Sequence, residues 1–171
     1  VDDGEGLPAG WPSAIEPRDV QRTLLAPEGV FIQFADGQTH LYAYVISADS
    51  VTWHDLGERA PILERAGDLL HEISDPARLG GVDEVARTGK AAWVALLQPL
   101  VSPDTTKRIL IVPTPGLATL PFGALVVSAP SDPRSFGDIR FALDEVEVGY
   151  SASAPVLVTI QAAPATPTTV P

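Results

Sequence analysis

The chain has 171 residues, enough for one domain with a real core, and 45 % of them are apolar. Its formal charge of −11, from 22 acidic and 11 basic residues, repels phosphate backbones and argues against nucleic acid as a partner. There is no cysteine, which removes disulfides, thiolate metal sites and thiol catalysis together.

No apolar run approaches the length of a membrane span, and no basic-then-apolar leader is present. A cytoplasmic protein that does not meet the membrane is the expectation. Arginine outnumbers lysine, and alanine and proline are abundant, a bias that suits a GC-rich bacterial genome. The chain has no methionine and begins with Val1, so a processed, cropped or incomplete product is expected.

Taken in chain order, residues 1–16 are acidic and rich in Gly and Pro, and read as a flexible leader. Pro17 to Leu25 suits a short helix with Pro17 in its first turn and Val20 and Leu24 on one face. Pro27-Glu28-Gly29 turns the chain. Three strands follow: Val30 to Ala35, with Val30, Ile32 and Phe34 on one side; His40 to Ala48; and Val51 to Leu56. Asp36-Gly37 and Asp49-Ser50 are the turns between them, so the pattern predicts an antiparallel meander.

Ala60 to Ser74 is expected to be a helix, because Ile62, Leu63, Ala66, Leu69, Leu70 and Ile73 form one apolar stripe. A second helix is expected from about Val82 to Gln98, with Val82, Val85, Ala86, Trp93, Leu96 and Leu97 on its apolar face and Pro99 ending it. Ile109 to Val112 lacks polar alternation and reads as a strand covered on both faces by helices. Pro113, Pro115 and Gly116 break it. Leu120 to Val126 is expected to form one or two helical turns, Ala129 to Gly137 an exposed loop, and Ala142 to Ser151 a strand with Val146, Val148 and Tyr150 alternating. Ser153 and Pro155 could start a helix over Val156 to Ile160. Residues 161–171 read as a disordered Ala/Pro/Thr tail.

Several segments, in order, resemble the CHAT domain, a caspase-like peptidase domain often associated with tetratricopeptide repeats. Leu25 to Gln33 with Leu41 to Ile46 is similar to that family's opening hairpin. Asp55-Leu56-Gly57 is similar to the end of its meander, and Leu96-Leu97-Gln98-Pro99-Leu100 to its leucine-proline helix end. Arg108 to Pro113, followed by Gly116 to Leu125 with its Leu120-Pro121-Phe122, resembles the family's most recognisable element. Tyr150-Ser151-Ala152-Ser153-Ala154 resembles the serine-rich strand end that comes next. The match spans roughly Val20 to Leu157 and covers only the family's N-terminal part. It implies an α/β fold over 17–160, with a caspase-like scaffold half in which the meander leads into two amphipathic helices and further sheet strands.

In the family, catalysis uses a histidine followed by glycine and a cysteine preceded by Ser-Ala. No position of this sequence matches either motif, so no catalytic, cofactor-binding or metal-binding residue is assigned, and no cofactor. His71 is expected on the polar face of its helix, and His40 and His54 as ordinary strand residues. His54 and Asp55 are neighbours in a strand, so their side chains point to opposite faces. Ser151 and Ser153 have no histidine nearby in sequence, and the acidic Asp144, Glu145 and Glu147 read as a solvated edge. Ile109 to Phe122 is expected to be scaffold. The reading is thus a non-catalytic N-terminal portion of a CHAT-type protein. The alternatives are a stand-alone interaction or regulatory module, or a truncated product without independent activity. The expected partner is a protein or the C-terminal catalytic half, with self-association through uncovered surface.

Overall fold

In a computed structural model, the residues described are 17–24, 28–74, 81–151 and 153. The elements in order are helix α1 (Pro17–Leu24), strands β1 (Gly29–Asp36), β2 (His40–Ile46) and β3 (Val51–Glu58), helices α2 (Arg59–Ser74) and α3 (Val82–Leu96), strands β4 (Arg108–Val112), β5 (Val126–Ser128) and β6 (Arg140–Phe141), the single-turn helix α4 (Ala142–Glu145), and strand β7 (Glu147–Tyr150). The fold is α/β. The expected leader at 1–16, the helix over Val156 to Ile160 and the tail at 161–171 lie outside the described residues.

The sheet has the order β3-β2-β1-β4-β7. Its first half is the expected meander: β1 pairs β2 and β2 pairs β3, both antiparallel. In its second half β4 lies parallel to β1, and β7 parallel to β4. The side-chain period of two divides the sheet cleanly. On one face lie Ile32, Phe34, Leu41, Ala43, Val45, Ile109 and Ile111, all buried in one core with Ile62, Ala66 and Leu69 of α2 and Trp93 and Leu96 of α3. α2 packs on β2 and β3 and alongside α3. On the other face α1 packs at β2 and buries Val20, and its Gln21 donates from Nε2 to the Ser47 carbonyl at 2.9 Å.

Both long helices form where the apolar stripes place them. α3 carries Asp83 and Glu84 in its first turn, where they complement the helix dipole, and it ends before Pro99. Its buried face is wider than the large residues suggest, because Thr88, Gly89 and Ala92 are buried too. Thr88 satisfies its hydroxyl by donating to the Glu84 carbonyl one turn back, at 2.8 Å. Gly89 sits against β5: a Cβ there would lie 2.5 Å from Val126 Cγ2 and 3.2 Å from Val126 Cβ.

Two local expectations need correction. Leu120 to Val126 does not continue as a helix: a 3-10 turn over Phe122–Ala124 gives way to β5, because Val126 pairs with Phe141 in a two-stranded ribbon. Ala142 to Ser151 is not one strand: Ala142–Glu145 coils first, with Asp144 Oδ2 accepting from the Phe141 N–H at 2.8 Å, and only Glu147–Tyr150 pairs with β4. A local carboxylate-to-backbone bond outweighs the period-two pattern there.

After β4 the chain turns at Thr114, whose carbonyl accepts from the Leu117 N–H at 2.9 Å, and returns beneath the sheet. Leu117, Leu120 and Phe122 are buried. Phe122 stacks on Phe34 of β1 at 5.5 Å and meets Tyr150 of β7 at 6.2 Å, and its N–H donates to the Tyr150 hydroxyl at 2.8 Å.

Two stability changes follow. Phe122 is 0 % exposed, so Phe122→Ala is expected to cost about 3–5 kcal/mol in denaturant unfolding, through lost transfer energy and a cavity. A loss under about 1 kcal/mol, that of a surface change, would place Phe122 outside the core. Gly89→Ala, which gains up to about 1 kcal/mol on an open helix, is expected instead to lose about 1–3 kcal/mol by overpacking Val126. A rise in the thermal midpoint would contradict this contact.

Candidate functional site

β1, β4 and β7 run parallel, so their carboxyl ends share one end of the sheet, the end where open α/β sheets hold ligands. The start of β2 and the end of β3 lie there too, because β2 runs antiparallel to both neighbours. His40, Asp55, Glu58, Thr114 and Ser151 are therefore gathered along this rim.

Among the described residues of the rim, His40 and Asp55 are the titratable side chains that hydrogen-bond each other. The β2–β3 ladder runs in register from Ile46↔Val51 to Tyr42↔Asp55, then slips so that Leu41 faces Gly57 and His40 faces Glu58. One extra residue of β3 is accommodated in a bulge. Gly57 takes φ +99° there, the left-handed region that favours glycine. Asp55 closes the bulge: its Oδ1 accepts from the Gly57 N–H at 2.9 Å, and its oxygens lie 2.8 and 2.9 Å from His40 Nδ1. The Gly57 N–H, first, and then His40 hold the Asp55 carboxyl below its usual range. With Asp55 ionised, His40 donates from Nδ1 to the carboxylate, which fixes the orientation of its ring. The hollow beside it is lined by Gln38, Thr39, Glu58, Arg59 and Ala60.

This arrangement orients the His40 ring. No serine or threonine hydroxyl hydrogen-bonds His40 among the described residues. His54 lies on the opposite face of β3, with Nε2 3.0 Å from Thr52 Oγ1, so the adjacent His54 and Asp55 are indeed divided by the strand. His71 is exposed on α2. The Ser151 hydroxyl donates to the Ser153 carbonyl at 3.0 Å and accepts from the Ser153 N–H at 3.3 Å, a local turn at the end of β7. It stands three strands from His40, about 14 Å at the usual spacing. Thr114 is 5 % exposed and its hydroxyl has no hydrogen-bond partner. The acidic residues near β7 are consumed separately: Asp144 by the Phe141 N–H, Glu145 by Arg140, and Glu147 by Arg108 at 2.8 Å. Among the described residues no cluster of three His, Asp or Glu side chains is arranged to hold a metal, and no helix is long and apolar enough to cross a membrane.

The His40–Asp55 pair escaped sequence reading because the bulge hides it. The only sequence signal was Gly57, two residues after an aspartate near the end of a strand. Compared with known protein families and with curated proteins, the chain matches none.

Asp55 has its folded pKa depressed, so the stability it contributes is present above its unfolded value of about 3.9 and is lost as pH falls through the folded value. Asp138, which accepts from the Arg134 and Ser135 N–H groups, is lowered in the same way and adds to the same acid limb. Asp55→Asn is expected to be less stable than wild type at pH 7, with the gap beginning to close only as pH falls below about 3.9. Urea midpoints measured from pH 7 to pH 2.5 check this, and a gap that stays constant with pH would contradict it.

Proposed function

We propose that the chain is the non-catalytic scaffold portion of a cytoplasmic CHAT-type, caspase-like peptidase protein, and that its partner is the portion carrying the family's His-Gly and Ser-Ala-Cys motifs. The observation that carries this reading is the parallel half of the sheet. β7 has a neighbour, β4, on one side only among the described residues, while one of its faces is built into the core through Val148, with Val146 just before the strand buried beside it. Such an edge offers a row of backbone donors and acceptors to a further strand. Parallel strands are commonly covered on both faces and flanked by others.

The rim chemistry supports the same reading. The carboxyl ends of the parallel strands are where such a sheet assembles a catalytic set, and here they hold one oriented histidine and no thiolate. A chain with no cysteine supplies no thiolate nucleophile. The Ile109 to Phe122 segment, the strongest point of the resemblance, is spent on packing: Ile109, Ile111, Leu117, Leu120 and Phe122 are all in the core. A second reading, a stand-alone interaction module, is favoured by the exposed aromatic face of β2 and β3.

The test has two arms. The purified chain alone is expected to leave a peptide panel uncleaved. Co-expressed with a polypeptide bearing the two motifs, it is expected to form a complex in which β7 amides exchange more slowly. Cleavage by the chain alone that is abolished by changing His40, His54 or His71 would overturn the reading, and so would failure to form the complex.

A further inference from the structure

The opposite edge of the sheet carries a second feature, independent of the scaffold reading. β3 is a sheet edge, with β2 on one side only among the described residues. Its hydrogen-bonding phase follows from the turns. The Ser47 N–H donates to the Ser50 carbonyl, and the Gly37 N–H to the His40 carbonyl. With the observed registers, Tyr42, Tyr44 and Ile46 therefore bond β1, whereas Ala43 and Val45 bond His54 and Thr52. The N–H and C=O groups of Val51, Trp53 and Asp55 are left pointing outward.

The side chains of those same three residues share the face away from α2. Trp53 is 64 % exposed and Val51 48 %, and Tyr44, directly opposite Trp53, is 50 % exposed. Tyr42 leans on Trp53 at 5.7 Å. An edge of this kind is normally blunted by lysine, proline or a bulge. The bulge of β3 lies at Leu56 and Gly57, past the stretch from Val51 to Asp55, and neither β2 nor β3 contains a lysine, a proline or an arginine. Arg59, the residue after β3, turns its guanidinium toward the Gly37 carbonyl. The charges along the strand are those of Asp55 and Glu58, in a chain of net charge −11.

We propose that β3 accepts an extended, cationic peptide segment as a sixth, antiparallel strand. Backbone bonds to Val51 and Trp53 supply affinity, and alternate side chains supply selectivity. In the antiparallel register the segment reads, from its N-terminus, a Lys or Arg opposite Asp55, any residue, an apolar ring opposite Trp53, any residue, and a β-branched residue opposite Val51. A second copy of this chain is a poorer occupant: two β3 strands paired about Trp53 set Asp55 opposite Val51, with no cation to meet it, and both copies carry the same charge.

The probe is the peptide Thr-Lys-Thr-Trp-Thr-Val-Thr, titrated into the isotope-labelled full chain and followed by amide NMR. Saturable shifts centred on Val51, Trp53 and Asp55 are expected. Affinity is expected to fall at least tenfold when the peptide's tryptophan nitrogen is methylated, when its lysine becomes glutamate, or when the chain carries Trp53→Ala. Because Trp53 is exposed and the first two changes lie in the peptide, none of the three relies on an altered core. No shifts at millimolar peptide would overturn the proposal, as would binding indifferent to N-methylation, which is ring stacking without strand addition. Sedimentation showing a dimer that Trp53→Ala dissolves would make a second copy the occupant and overturn it as well.

Discussion

Phe122 is where three parts of the chain are made to agree. It lies between Phe34 of the meander and Tyr150 of the last parallel strand, and its N–H is held by the Tyr150 hydroxyl. The turn at Thr114 and the 3-10 turn that follows bring it there, so β1, β7 and the return beneath β4 share one contact. That wedge joins the antiparallel and parallel halves of the sheet alongside the β1–β4 ladder and the shared core under α2 and α3. Phe34 and Phe122 are far apart in sequence, and such a non-local contact closes a long loop at an entropic cost.

Much of this was legible from residue order. Alternation in Val30, Ile32 and Phe34 identified the buried face of β1, and the turn pairs Asp36-Gly37 and Asp49-Ser50 marked the meander. The stripe from Ile62 to Ile73 placed α2 within one residue at its start. Pattern reading failed where a local hydrogen bond or a tertiary pairing outweighed it. Asp144 coiled a segment that alternates like a strand, and pairing with Phe141 extended one that reads like a helix. Small residues were the other gap: Gly89 carries no apolar signal, yet it sets how closely α3 approaches β5, and the buried Ala92 lay outside the stripe read from its neighbours.

The candidate site was less legible, for a physical reason. A side-chain pair across two strands depends on register, and the bulge at Leu56 and Gly57 shifts the register by one just where His40 and Asp55 meet. A regular hairpin would have set His40 against Gly57. Such a bulge is a local conformational choice, paid for by the Asp55 carboxylate and by a glycine at positive φ. It ties the rim of the sheet together and holds its histidine in one orientation, with no serine or threonine hydroxyl bonded to that histidine among the described residues. Each of Asp144, Glu145 and Glu147 near β7 is matched to its own local donor.

Among the described residues the sheet is thus closed on its buried face and open at both edges, one parallel and one antiparallel. Residue-resolved hydrogen exchange on the intact chain tests that account most directly. Amides of Ile109, Leu110 and Ile111 in β4 are expected to exchange only by global unfolding. Along β3, protection is expected to alternate, with Thr52 and His54 slow and Val51 and Trp53 fast by orders of magnitude. Exchange of β4 as quick as that of the surface loops, or equal protection of all four β3 amides, would contradict the sheet order on which everything else depends.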